Sequence, residues 1–305
     1  MRNYLHYILG SFILGITSIF LLNNELQNIL ALIAILSIGL NHGANDISII
    51  QKFKIKSPDG FNFNKSVIIY SAVVVLTLLL FYLLPQLALW LFLIVSAYHF
   101  GEQHWASTIK KIHPIISFPF YTIYGLAVLF LLLYLNEAFA IEIIRQISAN
   151  AFFDDYLLLI TEICYIGVLL GVVLLSLYLK PFAQRVPLEL LQLFTLYIIF
   201  KSGNLLFGFA FYFVIWHSLF SVKDQLLFLY GKLNKTNLLI YFKKSAVYWL
   251  ISLIGLFVLV YLLNDKQYFY ALMFAFIAAV TFPHVFVISK MMNRQKDTNS
   301  EKNKS

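Results

Sequence analysis

Four histidines lie inside long apolar stretches of the sequence. They are His42, His99, His217 and His284. A neutral imidazole is the commonest metal ligand in proteins, and an ionisable side chain within a bilayer faces a bundle interior or a cavity by default. A single such histidine more often makes a hydrogen bond between helices, but four of them at one depth favour a metal site or another shared site.

Carboxylates accompany three of these histidines at helical spacing. They are Asp46 four residues after His42, Glu102 three after His99 and Asp224 seven after His217. These spacings place each carboxylate on the same helix face as its histidine, where it could orient the imidazole. Alternatively, these carboxylates are simply solvated near the helix ends and take no part in the site. His104, about one turn beyond His99, is a further candidate for the site.

The ligand types restrict the metal. Cys164 is the one cysteine of the chain, so an internal disulfide is excluded and a thiolate cluster is not indicated. Neutral histidines without thiolates suit iron, copper or zinc. Four histidines would saturate a zinc ion, whereas a six-coordinate iron would keep two positions open, enough for O₂. The pattern therefore predicts a metal site that is open to an apolar substrate.

The composition indicates which elements must position the histidines. Hydrophobic residues make up 61% of the chain and charged residues 12%, against about 25% charged residues in an ordinary soluble domain. Apolar runs of about 20 residues can cross a bilayer as helices. We predict an all-α, polytopic bundle of about ten spans, near residues 4–22, 26–44, 66–84, 86–104, 114–135, 156–179, 186–201, 204–222, 245–263 and 268–290.

Charge gives the expected orientation. Nearly all of the 22 basic residues fall in segments on one side of these spans, so the positive-inside rule predicts that both termini are cytoplasmic. Orientation explains the net charge of +8 better than nucleic-acid binding does. We expect a multi-pass protein of the cell membrane, with one catalytic domain over residues 1–290 and a polar, disordered tail over 291–305.

The four histidines share a depth in this arrangement. Each lies on an even-numbered span that runs from outside to inside, roughly 13 to 16 residues from the outer end, which is about 20–24 Å along a helix. Chance would scatter four histidines across the bilayer. The spans therefore predict that the imidazoles meet near the cytoplasmic face.

Short motifs around the histidines resemble those of a known family. The segments are Asn41–Asp46 (NHGAND), Tyr98–Glu102 (YHFGE), Trp216–Leu219 (WHSL) and Phe282–His284 (FPH). Together, and in this order, they are similar to the histidine motifs of the Brp/Blh family. That family comprises bacterial and archaeal membrane β-carotene 15,15′-dioxygenases.

The resemblance implies an enzyme with non-haem iron(II) that uses O₂ to split the central double bond of β-carotene into two retinals. Retinal would then supply a microbial rhodopsin. Carried over to this chain, the four histidines named above would be the iron ligands. One position departs from the family pattern, because Ser221 stands where many members have a second histidine. His104 is an extra histidine that could replace the missing ligand or could hydrogen-bond to one of the ligands.

Aromatic residues on the same spans are candidates for the lining of a substrate tunnel. These are Tyr98, Phe100, Tyr212 and Trp216. Other functions stay open from the sequence: a carrier or rhodopsin assembly factor that binds carotenoid or retinal without cleaving it, a transporter or proton relay, and a haem protein. The chain shows no paired broken helices or inverted repeat of the kind that marks many transporters.

Overall fold

The computed structural model describes residues 2–54, 61–109, 112–148, 152–263 and 268–302. Within these ranges every regular element is a helix. A helix satisfies its own main-chain hydrogen bonds, and a segment surrounded by lipid requires this. The predicted all-α fold class is confirmed.

The α-helices follow one another in chain order with short connections. They are α1 (Arg2–Leu21), α2 (Asn24–Ala34), α3 (Asp46–Lys54), α4 (Phe63–Leu83), α5 (Pro85–Trp105), α6 (Pro114–Leu135), α7 (Glu137–Ser148), α8 (Phe152–Tyr178), α9 (Lys180–Ala183), α10 (Val186–Ser202), α11 (Leu205–Ala210), α12 (Leu219–Tyr230), α13 (Lys235–Leu263) and α14 (Phe269–Lys302). Two π-helical segments interrupt the α geometry, Ile35–Gly39 after α2 and Phe211–Ser218 between α11 and α12.

Among the residues that the structure describes, seven helical segments are long and apolar enough to cross a membrane. They are Asn3–Leu21, Phe63–Leu83, Pro114–Leu135, Phe152–Tyr178, Leu205–Tyr230, Lys235–Leu262 and Phe269–Arg294. The other three predicted spans are helical too, but α2 and α10 are short, and polar residues at the end of α5 lower its hydropathy. A polytopic helical protein is therefore confirmed, and the orientation of its termini stays a prediction.

The chain divides into two compact units. The first comprises Met1–Ile35, Ser96–Arg145 and Asn150–His217. Within it α6 packs along α8, and α1 packs along α10. The end of α5 lies almost against the main chain of α6: a Cβ atom on Gly101 would be 1.9 Å from the carbonyl oxygen of Tyr121, and one on Gly125 would be 1.9 Å from that of Ala97. Small residues permit such close approach of helices in membranes.

The second unit comprises Leu36–Val95, Gln146–Ala149 and Ser218–Ser305. Within it α14 packs against α4 and α3, and α12 packs against α3 and α13. An apolar cluster joins α3 to α14 through Ile49, Phe53, Val287, Ile288 and Met291. Helix α14 passes through Pro283 without ending and continues to Lys302, beyond residue 290, where we expected a tail to begin. The prediction of one domain over residues 1–290 stays a prediction.

The close contact of α5 with α6 predicts a severe effect for Gly101→Ala. The added methyl group would meet a main-chain carbonyl, which cannot rotate away, so the two helices must separate. We expect a loss of roughly 1–3 kcal/mol or more of stability, measured as a lower thermal transition in detergent. Gly10→Ala is the matched control, because a Cβ atom there meets nothing within 4 Å. Equal transition temperatures for the two variants would contradict the close contact.

Candidate metal centre

Two of the predicted histidines form a buried pair in the second unit. The ring centroids of His42 and His284 are 4.7 Å apart, with the rings perpendicular. His42 lies in the turn at residues 42–45, which separates the preceding helical run from α3. His284 follows Pro283 in α14. The two side chains are therefore brought together from segments more than 200 residues apart in the sequence.

Asp46 fixes the orientation of His284. Nδ1 of this histidine lies 2.9 and 3.0 Å from the two carboxylate oxygens of Asp46. The hydroxyl of Tyr70, on α4, donates to the same carboxylate at 2.8 Å. With its Nδ1 proton held by a carboxylate, a neutral imidazole presents the Nε2 lone pair to a metal.

The predicted partner of Asp46 was wrong. We expected this carboxylate to share a helix face with His42, four residues earlier. The turn at residues 42–45 interrupts the helix, so helical spacing does not apply across it, and Asp46 instead contacts His284. Nδ1 of His42 contacts the carbonyl oxygen of Gly39 and lies 3.3 Å from the hydroxyl of Ser218.

The other two predicted histidines form a buried pair in the first unit. The ring centroids of His99 and His217 are 4.8 Å apart, and the two residues are 0% and 2% exposed. His99 lies on α5, and His217 lies near the end of the π-helical segment Phe211–Ser218. Such segments frequently occur at functional sites. Gln103 donates to the carbonyl oxygen of His217 at 3.2 Å, which ties α5 to this segment.

The donor set fits a metal ion. His42, His217 and His284 are buried, and each offers one ring nitrogen that could hold a metal. Neutral imidazoles suit iron, zinc or copper, and here the carboxylate of Asp46 contacts one of them, His284. The chemistry of these ligands is compatible with iron(II).

His104 lies in a different cluster. Its Nε2 atom is 2.5 Å from Oε2 of Glu189 and 3.2 Å from Arg185, and its ring stacks on Tyr124 with centroids 5.0 Å apart. Arg185 also binds the other carboxylate oxygen of Glu189 at 2.5 Å. His104 is thus engaged in a buried ion network of the first unit, which accounts for it without a role as a metal ligand.

Sequence reasoning missed Glu189 and Arg185. Glu189 is 4% exposed, and the signal available was a lone acidic residue near the start of an apolar run. Burial would lower the pKa of the Arg185 guanidinium, but the adjacent Glu189 carboxylate outweighs this effect and raises that pKa. The guanidinium therefore stays charged beside Glu189 at neutral pH.

The remaining predicted carboxylates lie on α5 and α12. Glu102 is buried on α5, three residues after His99, and Asp224 is partly exposed on α12. Their participation in the site stays a prediction.

The predicted aromatic residues divide into two groups. The ring centroid of Phe100 lies 4.6 Å from that of His217, so this aromatic adjoins a candidate ligand, and Tyr212 packs edge-on against Phe100 with centroids 5.4 Å apart. Trp216 packs edge-on against Tyr7, and Tyr98 packs against Phe118. A tunnel lined by all four aromatics stays a prediction.

Comparison with known protein families gives one match. A family model described as beta-carotene 15,15′-dioxygenase covers residues 33–292, and this range contains all four histidines. Comparisons with curated proteins and with solved structures gave no match.

The contact of Asp46 with His284 predicts that Asp46→Asn weakens metal binding. An amide cannot hold the imidazole as a carboxylate does, and the loss of such a partner typically lowers metal affinity by about 10–100-fold. The measurement is the metal content of purified protein after titration with a chelator. Asp155→Asn serves as the control, since this carboxylate is exposed at the start of α8 and is not a candidate for the site. If the Asp46 variant retains metal as the wild type does, the proposed role of Asp46 in orienting His284 is contradicted.

The ion network of the first unit predicts that Glu189→Gln destabilises the fold. The substitution leaves Arg185 without its carboxylate, and the removal of one partner of a buried ion pair typically costs about 3–5 kcal/mol. Thermal unfolding in detergent measures the effect. The exposed Glu137 provides the control variant Glu137→Gln, which we expect to unfold like the wild type. A Glu189 variant that unfolds at the same temperature as this control would disprove the importance of the network.

Proposed function

Because the chain belongs to the β-carotene 15,15′-dioxygenase family, we propose that it cleaves β-carotene at the central double bond with O₂. Both oxygen atoms enter the products, one on each carbon of the broken bond, so one β-carotene gives two retinals. The observation that carries this proposal is the family match over residues 33–292 together with the buried histidines inside that range.

We propose iron(II) as the metal, with His42, His99, His217 and His284 as its ligands. The family match supports this set, because it covers all four residues. Ser218 directly follows His217 in the chain, and its hydroxyl lies 3.3 Å from Nδ1 of His42. When bound, iron(II) would supply the activation of O₂, which side chains alone do not provide.

The residues of the chain orient the ligands and exclude water. Asp46 holds the Nδ1 proton of His284, so this histidine presents its other nitrogen. All four histidines are at most 5% exposed, which keeps the reaction away from bulk water. A substrate that dissolves in the bilayer suits this burial, and Phe100 and Tyr212 offer aromatic surface for a polyene beside His217.

The proposed setting is the cell membrane. The described part of the chain holds seven segments that can cross a bilayer, which is consistent with a multi-pass protein, and lipid is the natural route for β-carotene. The retinal product would then be available to a microbial rhodopsin in the same membrane.

A carrier that binds carotenoid or retinal without cleaving it is the second candidate. The observation in its favour is Ser221, which stands where many relatives have a histidine. This serine is 1% exposed and accepts a hydrogen bond from Gln225 at 3.0 Å. A carrier would retain pigment during purification and produce no retinal.

The decisive experiment is expression in bacterial cells that make β-carotene, with iron supplied and retinal measured by chromatography. We expect retinal from the wild type and at least a tenfold reduction, or about 1.4 kcal/mol, in each of the variants His42→Ala, His99→Ala, His217→Ala and His284→Ala. His6→Ala is the control, because His6 is exposed on α1. Folded wild-type protein with unchanged β-carotene and no retinal would refute the enzyme and favour the carrier.

A further inference from the structure

The turn at residues 42–45 changes the hydrogen bonding of the main chain beside His42. In a continuous helix the amide of Asp46 would donate to the carbonyl of His42. Here that amide donates to Gly43 at 3.3 Å, and the amide of Ala44 donates to Asn41 at 3.0 Å. The His42 carbonyl must therefore find its donor elsewhere, because a buried main-chain acceptor away from water needs a protein partner.

Two fully buried side chains meet this carbonyl. Nε2 of Gln225, on α12, donates to it at 2.8 Å. The hydroxyl of Tyr241, on α13, lies 3.4 Å from the same oxygen and donates to Oε1 of Gln225 at 2.9 Å. Gln225 and Tyr241 are both 0% exposed, so water does not compete for these bonds.

The orientation of the Gln225 amide is fixed by its surroundings. Nε2 also donates to the Ser221 hydroxyl at 3.0 Å, and Oε1 accepts from Tyr241. A flipped amide would place an acceptor against the carbonyl of His42. The side chain therefore has one favourable arrangement, and in it the amide points a donor at His42.

Further contacts attach the same turn to α13. Nδ2 of Asn45 donates to the carbonyl oxygen of Tyr241 at 3.2 Å, and the Ser245 hydroxyl donates to Oδ1 of Asn41 at 3.0 Å. The residues on both sides of His42 are thus held by one helix, while Gln225 holds His42 itself.

We propose that Gln225 and Tyr241 are positioning residues for His42. By holding its carbonyl, they fix the main chain from which the imidazole projects toward His284, 4.7 Å away between ring centroids. This inference rests on the proposed function, since it assigns the two residues a part in metal binding. A purely structural role would lower thermal stability and leave the affinity and geometry of the metal site unchanged.

The test is a titration of purified apo-protein with Co²⁺, followed by the visible absorption bands of the bound ion. Gln225→Met keeps the length of the side chain and removes both donors; Tyr241→Phe removes one oxygen atom. We expect about tenfold weaker binding in the first variant and several-fold weaker binding in the second, each with shifted bands. Tyr248→Phe, about two turns further along α13 and partly exposed, is the control and should bind within twofold of the wild type.

The outcomes separate the two proposals. If both variants bind Co²⁺ with wild-type affinity and bands while His42→Ala has lost binding, the metal site stands and the positioning role is overturned. If the wild type binds no better than His42→Ala, the proposed metal site fails, and this inference fails with it. If Gln225→Met does not fold, Tyr241→Phe decides alone, because weaker binding with shifted bands supports the role and unchanged binding overturns it.

Discussion

Main-chain polar groups buried in an apolar environment must find partners within the protein, and this constraint governs both histidine pairs. At each pair the chain departs from regular α-helix, by a turn at residues 42–45 and by a π-helical segment at Phe211–Ser218. Side chains supply donors to carbonyl groups there: Gln225 to His42, Tyr7 to Ile215 and Gln103 to His217. The positions of the imidazoles therefore depend on helices that contribute no candidate ligand as well as on those that do. Irregular backbone at membrane depth is tolerated only where the protein completes its hydrogen bonds.

The carboxylates of Glu189 and Asp46 are both buried, but their hydrogen-bonding partners differ. Glu189 lies against Arg185 and His104, so its charge is compensated inside the first unit. Asp46 accepts from the hydroxyl of Tyr70 and from the ring of His284, which are neutral donors when the histidine is uncharged. A carboxylate that contacts a candidate ligand in this way suits a bound divalent cation. This contrast separates a carboxylate that stabilises a fold from one that suits a metal centre.

The sequence predicted the helices and the candidate ligands of the site better than the contacts between side chains. Long apolar runs predicted the helical fold. The matched depth of four histidines predicted that their imidazoles meet at one site, and the structure shows them as two buried pairs. The partner of Asp46 was wrong, because helical spacing assumes a continuous helix and a local turn breaks it. His104 could not be separated from the metal ligands by spacing alone, since its partner Glu189 lies 85 residues away and only tertiary packing brings the two together. The family resemblance is confirmed by the match over residues 33–292.

The π-helical segment before α12 has a consequence for how this region can vary. Each residue of an α-helix advances the chain by about 100° around the axis, and a π-helical segment carries a wider turn than the α-helices that flank it. A one-residue deletion within Phe211–Ser218 would let this wider turn close to α-helical geometry, and the main-chain arrangement that presents His217 to His99 would be lost. Apolar substitutions within the segment leave that register intact. Its length is therefore under a tighter constraint than its composition, and natural variation in this stretch should exchange side chains without inserting or removing a residue.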